Sequence, residues 1–328
     1  MQMVRMSNEF ATGILCECGC DYVAHAVRIG DNGLAVCEEC SNCPCKKFTR
    51  SKKENKVSLF GHGFVGREYK KQFPDTVVVD RDARYSPTES ILYGISTVHN
   101  YHPKEGDLFK DVDTNLTHFL GVLQANQDRD ITFNLISSWF VYGETDLPAR
   151  EDSHCNPKKG FYSITARARE QLLIAYAETF GMKYRILRLG NVIGIGDKKI
   201  SKKKNAVQWM VRELAQGREI KVYRGGAVRD FIDVRDCAKA INLVIGKGEL
   251  NTIYNISNGE GLNISMLMDV ANREAKFRGT VGEMETPSFH KTVQVPKMYL
   301  DTKKIKELGY VQTYDIKQSI RELVHYYE

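Results

Sequence analysis

The run Val57-Ser-Leu-Phe-Gly61-His-Gly63-Phe-Val-Gly66 constrains the fold more than any other stretch of the chain. Four residues of strand character enter a Gly-x-Gly-x-x-Gly turn, and Arg67-Glu-Tyr-Lys-Lys-Gln-Phe continues with helix formers. The first glycine permits a sharp turn, the second lets backbone approach a pyrophosphate, and the third lets the helix pack closely on the strand. The N–H groups at the helix N-terminus then face the phosphates. Taken alone, the pattern also fits an ordinary tight turn. Thr76-Val-Val-Val-Asp80 adds context. It reads as a second buried strand, ending in an acid about 20 residues after the first glycine, where a ribose hydroxyl is bound. Residues 57–80 are therefore expected to form the first half of a dinucleotide-binding unit, with Gly61, Gly63, Phe64, Val65, Gly66, Asp80 and Arg81 on the cofactor.

Downstream, strand-like and helix-like stretches alternate. Residues 91–100 read as a strand, 113–126 as a helix with apolar residues at helical spacing, and 131–138 as a strand ending in two serines. This alternation predicts an α/β fold, a Rossmann-like doubly wound parallel sheet. Such sheets bind ligands outside the carboxyl ends of their strands, which places Ser138 on the same edge as the glycine turn. Residues 206–215 form an amphipathic pattern expected in a core. The predicted organisation is a cysteine-rich module over 1–50, a basic linker over 51–56, a dinucleotide-binding domain over 57–196 rejoined by about 226–246, and a smaller, mainly substrate-binding region over 197–328.

Seven of the nine cysteines lie between Cys16 and Cys45, and in a cytosolic chain such clustering points to metal before disulfides. Cys16-Glu-Cys18-Gly-Cys20, His25 and Cys37-Glu-Glu-Cys40-Ser-Asn-Cys43-Pro-Cys45 offer close-spaced soft ligands, which zinc takes in a tetrahedron. Cys37 and Cys40 with two of Cys16, Cys18 and Cys20 make one site, leaving Cys43, Cys45 and His25 for a second site or spare. Free surface thiols and an iron–sulfur cluster are the alternatives. A segment this short buries little apolar surface, so Zn2+ is expected to stabilise it rather than to catalyse. The basic stretch 46–56 reads as a solvated tether in preference to a nucleic-acid contact, since few aromatics accompany its charges. A net charge of +6 fits an anionic small molecule at least as well as nucleic acid. No apolar run is long enough to span a bilayer, and the N-terminus lacks an apolar signal core, so a cytoplasmic location is expected.

The second half carries longer signatures. Ser137-Ser-Trp-Phe-Val-Tyr-Gly143 is followed by Pro148, Glu151, Pro157 and Tyr162, then by Arg188-Leu-Gly-Asn191-Val-Ile-Gly-Ile-Gly-Asp197. Arg229-Asp-Phe-Ile-Asp-Val-Arg-Asp236 and Leu300-Asp-Thr-Lys-Lys-Ile-Lys-Glu-Leu-Gly309 complete the series. In this order they resemble the motifs of the extended short-chain dehydrogenase/reductase family, the NAD-dependent epimerases and dehydratases of nucleotide sugars. The resemblance covers about residues 57–328. It implies Tyr162 as the acid/base on a sugar hydroxyl, Ser138 as the group hydrogen-bonded to the same oxygen, and Asn191 and Arg229 as ligands of a nucleotide diphosphate. It further implies a nucleotide-diphosphate sugar as substrate, chemistry at sugar carbon C4, and a homodimer. The cofactor implied is NAD or NADP: Asp80 favours NAD, while Arg81 and Arg84 are placed to accommodate a 2′-phosphate.

Two departures bear on function. The family pattern Tyr-x-x-x-Lys sets a lysine one turn after the tyrosine, where it binds the nicotinamide ribose and favours a phenolate. Here the run is Tyr162-Ser-Ile-Thr-Ala166-Arg167, and Arg167 lies about 100° round the helix from the lysine position. The stretch between Asp80 and the strand at 91 is also short, so the family's third strand is expected to be missing or reduced. Two readings follow: an active enzyme, or a degenerate member that binds dinucleotide or nucleotide sugar as a scaffold or sensor. A nucleic-acid-associated role for residues 1–56 is the less favoured third. The basic run 197–205 reads as a solvated loop, and His102, His118, His154 and His290 as structural residues.

Overall fold

The structure, a computed structural model, describes residues 26–29, 35–39, 56–97, 108–198, 200–201 and 204–328. The chain divides into two units, Met1–Lys56 and Val57–Glu328. In the first, β1 (Ala26–Ile29) and β2 (Ala35–Glu39) pair antiparallel. Cys37 belongs to β2; Cys16, Cys18, Cys20, His25, Cys40, Cys43 and Cys45 lie outside the described residues, and so does the zinc site expected of them. Among the described residues no three of His, Cys, Asp or Glu gather as metal ligands, and no helix is long and apolar enough to cross a membrane.

The second unit opens with β3 (Val57–Phe60), α1 (Phe64–Gln72), β4 (Val77–Val79) and β5 (Ser90–Tyr93). A continuous helical stretch follows, α2 (Leu108–Val112), a π-helical turn over Asp113–Thr117 and α3 (His118–Ala125). Next come β6 (Thr132–Ser138), a single 3-10 turn over Trp139–Val141, the long α4 (Phe161–Phe180) and β7 (Lys183–Leu189). The spacing of its buried residues Ser163, Ala166, Glu170, Leu173 and Ala177 explains α4: every third or fourth position faces inward, and Gly181 at φ +71° ends it. After β8 (Asn191–Ile193) the chain forms α5 (Ala206–Ala215), β9 (Ile220–Tyr223), β10 (Val228–Asp233), α6 (Val234–Lys247) and β11 (Thr252–Ile256). The remainder is β12 (Gly261–Asn263), α7 (Ile264–Glu274), β13 (Val281–Met284), α8 (Ser288–Val293), β14 (Lys297–Met298), α9 (Lys303–Glu307) and α10 (Ile316–Tyr327).

Six strands in the order β11-β7-β6-β5-β3-β4 make one parallel sheet. Both faces are covered, as a parallel sheet requires. Val57, Leu59, Leu187 and Tyr254 pack with Ala238 and Ile241 of α6 on one side. Phe60, Ile91, Tyr93 and Phe133 pack with Phe119 of α3 and Leu173 of α4 on the other. A separate core joins α5, α7 and α10 to β9 and β10, so the amphipathic helix 206–215 does face a core.

Two expectations are corrected. The predicted helix 113–126 begins in a π turn, and the strand expected over 91–100 covers only Ser90–Tyr93, after which Gly94 lies against Gly61. Within 226–246, α6 packs on the sheet in one core with β3 and β7, and β11 adds the sheet's last strand. No strand intervenes between β4 and β5, which leaves β4 at the sheet edge.

Candidate active site

The glycine turn carries three different constraints. Gly61 has φ +108°, and a Cβ there would lie 2.7 Å from the Gly94 carbonyl carbon and 2.8 Å from the Ile95 nitrogen. A Cβ on Gly66 would come within 2.3 Å of the Gly61 oxygen. Around Gly63 a Cβ would meet nothing within 4 Å, so this backbone faces open space ahead of α1. The first turn of α1 contains no acid, and Phe64 and Val65 stand at its start, half-buried. Open backbone at a helix N-terminus with no competing carboxylate fits a dinucleotide pyrophosphate.

These constraints separate by mutation. Gly66→Ala is expected to cost about 1–3 kcal/mol of stability, because a methyl group meets backbone that cannot step aside. Gly63→Ala should change stability by less than about 1 kcal/mol and instead weaken dinucleotide binding. Urea unfolding beside calorimetric NAD titration checks both; equal loss of stability in the two variants would contradict the assignment.

Asp80 stands exposed just beyond β4, and its Oδ1 accepts the Asp82 N–H at 2.9 Å. Arg81 is exposed. Arg84 is turned onto its own loop: Nη1 donates to the Asp82 carbonyl at 2.8 Å and lies 2.9 Å from His118 Nε2. His118 also lies 2.8 Å from the Arg81 carbonyl and 2.9 Å from the Tyr93 hydroxyl, and burial lowers its pKa, so it braces the loop.

Ser138 and Tyr162 meet at Phe140. The Ser138 hydroxyl accepts the Phe140 N–H at 3.4 Å, and the Tyr162 ring meets the Phe140 ring edge to face with centroids 5.7 Å apart. Phe140 stacks on Trp139 at 4.0 Å, and the Arg229 guanidinium carbon lies 5.3 Å from the Trp139 ring. Arg229 Nη1 donates to the carbonyls of Val228 and Pro296. Asn191 sits on β8, in register with Phe231 of β10, and its amide donates to the Asp230 carbonyl at 2.9 Å. Ser138, Tyr162 and Arg229 are thus linked through one aromatic pair, with Asn191 on the strand beside Arg229. Sequence reasoning passed over that pair, although two adjacent aromatics directly after the serines were a usable signal.

Behind this surface lies a buried ionic cluster. The Glu170 carboxylate accepts from Ser137 Oγ at 2.6 Å, from Arg188 Nε at 3.0 Å and Nη2 at 2.8 Å, and from Arg167 Nη1 at 2.9 Å. Arg167 is thereby committed to structure. Ala166 is fully buried and packs with Trp139, Val141, Tyr142, Ala149, Met298 and Leu300. Asn115 of the π turn, which sequence reasoning also passed over, accepts the Thr97 N–H and donates to Thr165 Oγ1, both at 2.9 Å, tying the loop after β5 to α4.

Asp230 ties β10 to the segments around Gly259 and Leu300. Its carboxylate accepts the N–H groups of Gly259 and Leu300 at 3.0–3.2 Å, yet burial outweighs these bonds and pushes its pKa from 3.8 up to about 6. The folded state therefore holds this proton more tightly than the unfolded chain, and the resulting stability is lost as pH rises from 3.8 through about 6. Asp230→Asn does not titrate, so wild type should lose stability relative to the variant over that window. Urea unfolding across pH checks this; a wild type that gains on the variant toward neutral pH would contradict it.

Residues 61–257 match the NAD dependent epimerase/dehydratase family. A putative UDP-glucose 4-epimerase of Methanocaldococcus jannaschii is 26% identical over 266 residues, spanning 78% of this chain and 84% of that protein. A GDP-6-deoxy-D-mannose reductase of Pseudomonas aeruginosa is 28% identical over 234 residues, 68% of this chain and 75% of that one. The UDP-glucose 4-epimerase of Thermus thermophilus in complex with NAD superposes with TM-score 0.71 at 20% identity, over 83% of this chain and 98% of that chain. The UDP-N-acetylglucosamine 4-epimerase of Methanobrevibacter ruminantium in complex with UDP-N-acetylmuramic acid gives TM-score 0.72 at 19% identity, over 84% and 99%. At these identities the superpositions speak for the fold, and the sequence match speaks for descent. With more than half of its length inside the family match, the chain belongs to the NAD dependent epimerase/dehydratase family.

Proposed function

We propose that the protein is an NAD-dependent nucleotide-sugar epimerase, dehydratase or reductase, acting at sugar carbon C4. The observation that carries this is the meeting of Ser138 and Tyr162 at Phe140, on the sheet edge that also holds the glycine turn. The cofactor, when bound, exchanges hydride with the sugar carbon. Gly61, Gly63 and Gly66 seat its pyrophosphate against the N-terminus of α1, and Asp80 takes a ribose hydroxyl. Because Arg84 is spent on loop carbonyls and His118, NAD is the preferred form over NADP. Tyr162 holds and moves the proton of the sugar hydroxyl, and Ser138 orients that oxygen. Asn191 and Arg229 take the nucleotide diphosphate, whose charge suits a planar guanidinium.

A second reading has its own support. Ala166 leaves no lysine beside Tyr162, so the protein is alternatively a scaffold or sensor that binds the same ligands without turnover. Incubation with NAD and a panel of UDP-, GDP-, dTDP- and CDP-sugars decides between them. A new isomer or loss of water establishes the enzyme, and tight binding without conversion across the panel establishes the sensor.

The same reading gives the cysteine-rich segment a structural Zn2+ and the protein a homodimeric state. Exposed Phe109, Val112 and Leu120 on α2 and α3, with Ile164 on α4, suit the burial of a helix pair against a second copy. Zinc content and light-scattering mass of the full chain test these two points; a zinc-free or monomeric protein contradicts them.

A further inference from the structure

Arg169 is a cation without a complete set of partners. It is 1% exposed, its Nη1 donates to the Ile95 carbonyl at 2.8 Å, and its Nε is buried with no acceptor. No carboxylate pairs with it among the described residues. Buried charge in this condition is costly unless something else completes it. Arg167 Nε is likewise buried without an acceptor, but Arg167 and Arg188 both have their charge met by Glu170, which Arg169 lacks. Arg185, also buried, donates to the Gly248 carbonyl and to Asn134 at the opposite end of the sheet.

The place of Arg169 suggests what completes it. It lies seven positions after Tyr162, which returns it to within about 20° of the same helix face. Arg167, by the same geometry, lies about 140° away. Side chains on a helix lean toward its N-terminus, so the guanidinium points back toward the Tyr162 end. Its one partner, Ile95, is in the loop that Gly61 abuts and that Asn115 pins at Thr97. In the sheet, β4 with Asp80 lies on one side of β3 and β5 on the other. A dinucleotide with one ribose at Asp80 and its pyrophosphate at Gly63 must therefore carry its second nucleoside across β5, over Arg169.

We infer that Arg169 binds the nicotinamide ribose of the cofactor, supplying from the next helical turn the cation that Ala166 cannot. This rests on the dinucleotide reading of the glycine turn and extends it to a residue outside the expected set.

Calorimetric titration of the full chain with NADH, ADP-ribose and ADP tests the inference, because ADP lacks the second ribose. Arg169→Met is expected to weaken NADH and ADP-ribose by roughly 10- to 100-fold, as for loss of charge-assisted hydrogen bonds, and to leave ADP within about twofold. Arg169→Lys, which keeps the charge, should recover most of the loss, and Arg167→Met should change none of the three. If the Met variant does not fold, Arg169→Gln is the neutral replacement. Parallel weakening of all three ligands, or no weakening of any, would overturn the inference. Failure of the wild type to bind all three would instead overturn the dinucleotide reading beneath it.

Discussion

Glu170→Ala is expected to lower the unfolding free energy by about 3–5 kcal/mol, the range for removing one partner of a buried ion pair. Glu170 is fully buried and Arg188 is 1% exposed, so the arginine left behind has no solvent to turn to. Arg188 also donates to the Glu151 carbonyl at 3.1 Å and lies over the Tyr142 ring at 4.7 Å, contacts that hold it in place when its carboxylate is gone. The same carboxylate binds Ser137, next to Ser138 at the end of β6, from the helix that carries Tyr162. Loss of the pair should therefore loosen the registration of Ser138 and Tyr162 as well as the fold. Arg150 and Asp152, a pair exposed by 64% and 71%, provide the comparison: Arg150→Ala should shift stability by no more than about 0.5 kcal/mol. Urea unfolding of both variants checks the contrast, and similar small shifts would show that Glu170 is not the keystone of this layer.

Ala166→Lys is expected to destabilise the protein by about 3 kcal/mol or more, instead of completing the active site. The added side chain enters an apolar layer already filled by Trp139, Val141, Tyr142, Met298 and Leu300. Overpacking of that kind costs about 1–3 kcal/mol. The ammonium adds a buried charge, one helical turn from the cation of Arg169. Room has to be made first. Trp139→Ala combined with Ala166→Lys should recover part of the loss, which a double-mutant cycle reads as favourable coupling. Additive effects, or an Ala166→Lys protein as stable as wild type, would show that Trp139 does not occupy the lysine's path.

What was legible in the sequence is what short-range spacing encodes. Gly61 and Gly66 answer to local backbone requirements, a positive φ in one and close approach to the Gly61 oxygen in the other; Gly63 meets no such requirement, and it and Asp80 stand out by their spacing alone. The absence of a strand between β4 and β5 followed from the length of one connection. The π turn was not legible, because Asn115 is set by Thr97 and Thr165, residues 18 and 50 positions away. Nor was Arg169, which in sequence resembles any charged residue on an amphipathic helix. Its one hydrogen-bond partner, the Ile95 carbonyl, lies just past β5, where the run 91–100 reads as a continuing strand. The commitment of Arg84 to its own loop is likewise a matter of conformation that composition does not carry.

The most direct test of the account is the hydride step itself. Purified protein loaded with NAD is mixed with each nucleotide sugar of the panel, and the absorbance of reduced nicotinamide is followed in wild type and in Tyr162→Phe. Transient or lasting reduction is expected with at least one sugar in wild type, and its loss in Tyr162→Phe with NAD affinity unchanged. Reduction that persists undiminished in Tyr162→Phe would contradict the role given to this tyrosine, and no reduction with any sugar would contradict an enzyme that begins by oxidising the sugar carbon.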